Sequence, residues 1–225
     1  MLRVARGELP ETLRIARPGT TVAFAKRDAV AEGYEQAVRA ARDHGFEATL
    51  RLAGGRAAVF HDGTMEMGHA VPEHEPRAGI HERFARTAER LAGALGALGV
   101  DARIGEVSGE YCPGRYSVNA RGAVKLAGIG QRVVAGGSHT GVVLVVSGEG
   151  RINDVLRPVY DALGLAWEPE VTGSVEAERP ATSWDAVRET LLVEYARDYE
   201  LVEAELDDAT LALARELAPE HRTQD

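Results

Sequence analysis

The chain contains one cysteine, Cys112, and only two lysines, Lys26 and Lys125, among its 225 residues. A lone thiol excludes an internal disulfide framework and suits a reducing compartment. No apolar run approaches the roughly 20 residues needed to cross a bilayer. The opening stretch MLRVARGELPETLRIARPG is too heavily charged to hold a signal-peptide core. The expectation is a cytoplasmic protein with no membrane role. A formal charge of −9 argues against nucleic acid as the main partner. His61, His69, His74, His81 and His139 show no metal-ligand spacing, so no metal site is expected. The shortage of lysine carries information of its own, because 24 of the 26 basic residues are arginine. An ammonium that persists against that bias is a candidate for chemistry a guanidinium cannot perform. Lys125 is such a candidate.

What is present fits one good-sized domain: 44% of residues are hydrophobic and 27% charged, enough for a substantial core. Thr20–Ala25, Phe46–Leu52, Arg56–His61 and Met65–Val71 read as strands, and Asp62-Gly63 reads as a hairpin turn. Gly33–His44 reads as a helix with Gly45 as its stop. Ile80, Phe84, Ala88, Leu91, Leu95 and Leu98 mark the apolar stripe of a long helix. The irregular SGEYCPGR loop leads to Tyr116–Asn119, a turn at Ala120-Arg121-Gly122, and a long run from Val124 to Val134. A glycine-rich AGGSHTG segment precedes the apolar strand Val142–Val146. Ile152–Leu163 is predicted helical, as is a C-terminal segment over 183–218 in which Trp184, Val187, Leu191, Tyr195, Tyr199 and Val202 recur at helical spacing. The fold class that follows is α+β, with a mixed, largely antiparallel sheet packed with helices in a single domain over 1–225.

Three segments carry chemistry. In RLAGGRAAVFHD, paired Gly54 and Gly55 between strands let backbone N–H groups approach a ligand closely; the competing reading is a simple turn. In GEYCPGRYS, Cys112 lies in a loop broken by Pro113 and Gly114. A lone cysteine is ordinarily a small core hydrophobe, but here Arg115, Arg121 and Lys125 are near enough in sequence to support a thiolate. In KLAGIGQR, Lys125 is either a strand-edge lysine or a cation that orients an acyl carbonyl. His139 reads as a turn residue, with a general base as the alternative. Glu66 and Glu110 could be bases, but no spacing singles out either.

Taken in order, RLAGGRAAVFHD and KLAGIGQR resemble the lipoate-protein ligase A and octanoyltransferase family, within the biotin/lipoate protein ligase fold. The likeness covers roughly residues 20 to 165. EYCPGRYSV is most similar to the cysteine loop of octanoyl-(glycine cleavage H protein):protein N-octanoyltransferases, which hold the acyl group on a cysteine as a thioester. The resemblance implies Cys112 as nucleophile and Lys125 as acyl-carbonyl anchor. It further implies Arg51, Gly54, Gly55, Ala57 and His61 lining or shaping an acyl tunnel, with Gly128, Gln131 and His139 as further substrate-binding candidates.

No permanent cofactor is implied. The substrate is an octanoyl or lipoyl group, the enzyme is expected to be a monomer, and its partners are lipoyl-domain or glycine cleavage H-type carriers, with acyl carrier protein a further candidate. A thioester donor transfers downhill to an amine, whereas a free acid requires ATP. An ATP-dependent lipoate ligase and a non-catalytic acyl- or carrier-binding relative are therefore the alternatives. Two departures bear on the choice: Gly63-Thr64-Met65-Glu66-Met67 replaces an asparagine-containing stretch usual in ligases, and the accessory C-terminal domain of many ligases is not expected. Arg103, Arg115, Arg121 and Arg132 are predicted to form a docking patch for an acidic carrier.

Overall fold

The computed structural model describes residues 1–223. Its helices are α1 (Leu2–Ala5), α2 (Tyr34–Asp43), α3 (Ile80–Ala97), α4 (Glu149–Ala162), α5 (Val175–Glu178), α6 (Trp184–Ala196) and α7 (Asp208–Leu217). Its strands are β1 (Thr12–Ala16), β2 (Thr21–Phe24), β3 (Glu47–Leu50), β4 (Ala58–Phe60), β5 (Thr64–Pro72), β6 (Ala102–Ile104), β7 (Val118–Ala120), β8 (Val124–Val134) and β9 (Gly137–Val145). Six strands form an antiparallel sheet in the order β1-β5-β9-β8-β7-β6. The other three form a small sheet, β3-β2-β4, whose β2–β3 pair is parallel.

Alternation along each strand decides what lies on either side. On the large sheet, Met65, Met67, Ala127, Val142 and Leu144 face one way. They pack under α3 and α6 against Leu91, Leu95, Val187, Leu191 and Tyr195. On the small sheet, Val22, Phe24 and Val59 pack against α2 and α4 through Ala37, Val38, Ala41, Ile152 and Leu156. The two remaining faces look at each other. They carry small residues, with Thr21, Ala23 and Ala58 on one side and Gly128, Gly130 and Gly141 on the other. The space between them is a cleft of about 1020 Å³.

Three sequence expectations need correction. Asp62-Gly63 is a turn, closed by Thr64 N–H on the His61 carbonyl at 2.8 Å, but it joins no hairpin. β4 pairs with β2 and β5 pairs with β1 and β9, so the turn is a corner between sheets. Gly63 is not in the left-handed region that a two-residue hairpin turn would need. It is small because a Cβ there would lie 2.6 Å from the Ser147 carbonyl oxygen. Second, the AGGSHTG segment is mostly strand: only Ala135 and Gly136 turn, and His139 lies within β9. Glycine there permits close packing rather than looping. Third, the periodicity through Val202 overshoots α6, which ends at Ala196 and leaves Val202 83% exposed. The turn at Arg121-Gly122 forms as expected, with φ of 58° and 71° and Ala123 N–H on the Ala120 carbonyl at 2.9 Å.

Packing between α2 and α4 is tight enough to be tested. A Cβ on Gly33 would stand 1.8 Å from the Ala162 carbonyl oxygen. Gly33→Ala is therefore expected to destabilise the protein by about 1–3 kcal/mol in urea unfolding. Gly150→Ala, in the first turn of α4 with open space around its Cβ, should be neutral or stabilising by up to about 1 kcal/mol. Equal effects at the two positions would refute this packing.

Candidate active site

The cysteine loop runs between β6 and β7, and one carboxylate gathers it. Glu110 Oε2 accepts the Val107 N–H at 3.0 Å. Its Oε1 accepts the Gly114 N–H at 3.1 Å, the Ser117 hydroxyl at 2.6 Å and the Lys125 ammonium at 3.0 Å. Lys125 reaches up from β8, and its other two donors go to the carbonyls of Tyr111 at 2.9 Å and Cys112 at 2.8 Å. Both charged groups are buried, Lys125 at 1% and Glu110 at 3% exposure. An isolated charge at such depth is strongly unfavourable; a pair in which each partner is fully hydrogen-bonded is tolerated.

Between these anchors Cys112 takes φ of 44°, an uncommon conformation for a residue with a Cβ. Its N–H donates to the Tyr160 hydroxyl at 3.0 Å, which in turn donates to the Ala57 carbonyl at 3.1 Å. Tied at its amide by Tyr160 and at its carbonyl by Lys125, Cys112 turns its side chain toward the Gly-Gly segment. There the sulfur accepts the Arg56 backbone N–H at 3.1 Å, and Arg51 Nη2 stands 3.6 Å away. Gly55 makes this approach possible. It has φ of 106°, and a Cβ on it would fall 2.7 Å from the sulfur and 2.6 Å from Arg51 Nη2. Arg56 is itself fixed by buried Asp28, whose Oδ1 lies 3.2 Å from Nη1.

The structure brings together Cys112, Lys125, Arg51, Gly54, Gly55, Gly128 and His139, all of which line the inter-sheet cleft. Gln131 stands at its edge but bonds towards α3, donating to the Ile80 carbonyl at 2.9 Å and accepting from Arg83 at 3.1 Å. Ala57 faces the core beneath β4. His61 sits at the sheet corner, its Nδ1 accepting the Gly63 N–H at 3.0 Å. Burial lowers its pKa, so it is held neutral as a packing group. Neither Ala57 nor His61 is on the cleft wall.

The four arginines of the expected docking patch divide into two pairs. Arg103 pairs with Asp101 at 2.7 Å and Arg121 with Glu178 at 2.7 Å, while Arg115, over the Tyr116 ring, and Arg132 both line the cleft. Among the described residues no cluster of three metal-ligating side chains exists. Sequence reasoning missed Tyr160, Arg56 and the clamp at Glu110. Glu110 had only adjacency to Cys112 to mark it, and Tyr160, 48 positions beyond the thiol on another element, had no signal.

Removing one member of the buried pair leaves the other uncompensated. Lys125→Met alone is expected to cost about 3–5 kcal/mol in denaturant unfolding. Adding Glu110→Gln should recover much of that loss, and a neutral single mutant would show that the pair does not hold the loop. His139 supplies a pH signature. Burial brings its imidazole from 6.5 down to about 4, so the unfolded chain takes the proton first. Its contribution to stability is complete above pH 6.5 and is lost as the pH falls towards 4. His139→Gln should flatten that limb of the stability–pH curve, and an unchanged slope would contradict the assignment.

Comparison with known proteins agrees with this architecture. An octanoyl-(GcvH):protein N-octanoyltransferase of Geobacillus kaustophilus is 28% identical over 159 residues, covering 70% of this chain and 56% of the relative. One from Exiguobacterium sibiricum is 30% identical over 182 residues, covering 74% and 65%. The chain thus spans less than two thirds of the length of either relative. Among solved structures, a bi-partite lipoate protein ligase of Thermoplasma acidophilum superposes with a TM-score of 0.72 at 18% identity, covering 95% of this chain and 83% of its own. Residues 1–184 match the lipoyl protein ligase A/B catalytic domain, and the chain belongs to that family.

Proposed function

We propose that this chain moves an octanoyl or lipoyl group from one carrier protein to a lysine of another through a thioester on Cys112. The observation that carries the reading is the placement of the sulfur. It is held at the wall of a large, Gly- and Ala-lined cleft, with the Arg56 N–H and Arg51 directed at it. A cysteine retained only for packing would have no need of a strained backbone, a flanking glycine and two donors.

In the first step the sulfur attacks the donor's acyl carbonyl: a C–S bond forms, the bond from the carbonyl carbon to the donor's nitrogen or sulfur breaks, and that leaving atom takes the proton the thiol gives up. In the second, the acceptor lysine, as free amine, attacks the thioester: a C–N bond forms, the C–S bond breaks, and the amine's proton returns to the sulfur. The acyl carbon enters and leaves at the same oxidation level, so neither redox cofactor nor nucleotide is consumed. Exchange of one lysine amide for another is close to neutral, and transfer from a carrier thioester runs downhill. Lys125 supports the reacting centre by gripping the Cys112 and Tyr111 carbonyls. To anchor the acyl carbonyl as well, it would exchange one of its three present partners.

The named activity of the curated relatives supports lipoyl-type carriers as the partners, with acyl carrier protein a further candidate donor. On this reading residues 1–225 act as one catalytic domain and as a monomer. The cytoplasm is the expected site, and no described helix is long and apolar enough to cross a membrane. The fold is also that of lipoate ligases, which keeps ATP-driven ligation as the second reading. That reaction has no use for an enzyme thiol.

Cys112→Ser should fold with an unchanged melting temperature and lose transfer between carriers by at least about a thousandfold. Wild-type transfer should follow ping-pong kinetics without nucleotide. A Cys112→Ser protein that still attaches free octanoate to a carrier when given ATP would replace this reading with the ligase.

A further inference from the structure

A row of glycines crosses the large sheet next to the thiol. Gly130 of β8 is in register with Gly141 of β9, and Gly141 with Gly68 of β5. Residues directly opposite one another share a face, so these three positions make a lane without side chains across three strands. At its near end a Cβ on Gly130 would meet the Ala53 Cβ at 3.1 Å, with Arg51 Nη1 and the Gly54 carbonyl oxygen each at 3.8 Å, and the same guanidinium reaches the sulfur through Nη2. Ala23 and Ala58 of the small sheet line the opposite wall of the same cleft.

The far end of the lane is not empty. His139 lies two residues before Gly141 on the same face of β9, and its ring leans over its neighbours. A Cβ on Gly68 would meet His139 Nε2 at 2.7 Å, and one on Gly141 would meet Cε1 at 3.4 Å. The ring thus fills the space that a side chain at position 68 would have taken. Among the described residues no hydrogen bond or ion pair holds it, and burial keeps it neutral with a pKa of about 4. Beyond it on the same face Arg14 pairs with Glu66 at 2.8 Å.

We propose that the His139 ring is the specificity determinant for acyl length, closing the glycine lane over Gly68 so that the chain on Cys112 must end there. From Gly130 to Gly68 is two strand spacings, roughly 10 Å, a span that a chain starting at the sulfur crosses before it meets the ring. The inference rests on the acyltransferase reading, because only an acyl group attached at Cys112 fixes one end of the ruler. Opening the lane admits more methylenes, each of which favours binding by roughly fourfold once buried.

The experiment measures acyl–Cys112 formation by intact-protein mass spectrometry with carrier thioesters of six, eight, ten and twelve carbons. His139→Ala should shift the preference from eight towards twelve carbons by about tenfold or more in relative rate. Adding Gly68→Ala, which puts a methyl where the ring rested, should move the preference back. An unchanged length profile in His139→Ala, with adducts still forming, overturns the proposal and leaves the transferase reading standing. Absence of any adduct on the wild-type protein overturns the transferase reading itself.

Discussion

A carboxylate and an ammonium shut away from water hold the working part of this protein in shape. Glu110 and Lys125 meet at 3.0 Å with almost no solvent exposure. Removing two charges from water is costly, and such a pair is not in itself a source of stability. Its effect here is geometric. Every donor on the ammonium and both oxygens of the carboxylate are committed to the loop from Val107 to Ser117. The loop therefore has one low-energy arrangement, in which Cys112 adopts a backbone conformation it would otherwise avoid at a cost of order 1–3 kcal/mol.

That constraint has value only because of what the two sheets leave open. Helices cover the outer faces with Leu, Val and Ile, and the inner faces beside the thiol carry Gly, Ala and Thr at several facing positions. The small size of the residues at those positions leaves room between the sheets for a flexible apolar chain. The same economy explains Gly55: any Cβ there would occupy the place where the sulfur meets the Arg56 N–H. Loop and cleft thus depend on each other, the first aiming a nucleophile and the second receiving what it carries.

Much of this was legible in the chain. The periodicity of Ile80–Leu98 gave α3, the alternation after Gly63 gave β5, and the run from Val124 gave β8 with its bounds intact. The oddity of two lysines among 26 basic residues drew attention to Lys125. What the sequence could not show was relation across distance. Asp62-Gly63 carries the composition of a hairpin, yet the partners of β4 and β5 are chosen by strands elsewhere. His139 in a glycine-rich stretch suggests a turn until the register with β5 and β8 shows that the glycines make a lane. Four arginines spaced along the chain suggest one patch until two are seen paired with carboxylates and the other two on the cleft wall. Tyr160 approaches Cys112 only because α4 packs behind β4.

The central claim is that the sulfur of residue 112 accepts an acyl group from a carrier without help from a nucleotide. Incubation with an octanoyl-loaded carrier, in the absence of ATP, followed by peptide mapping, tests it most directly. The expected result is one octanoyl group on the peptide containing Cys112, removed by hydroxylamine and passed to a fresh lipoyl domain on mixing. A chain that stays unmodified under these conditions, yet forms an acyl-adenylate from octanoate and ATP, would contradict it.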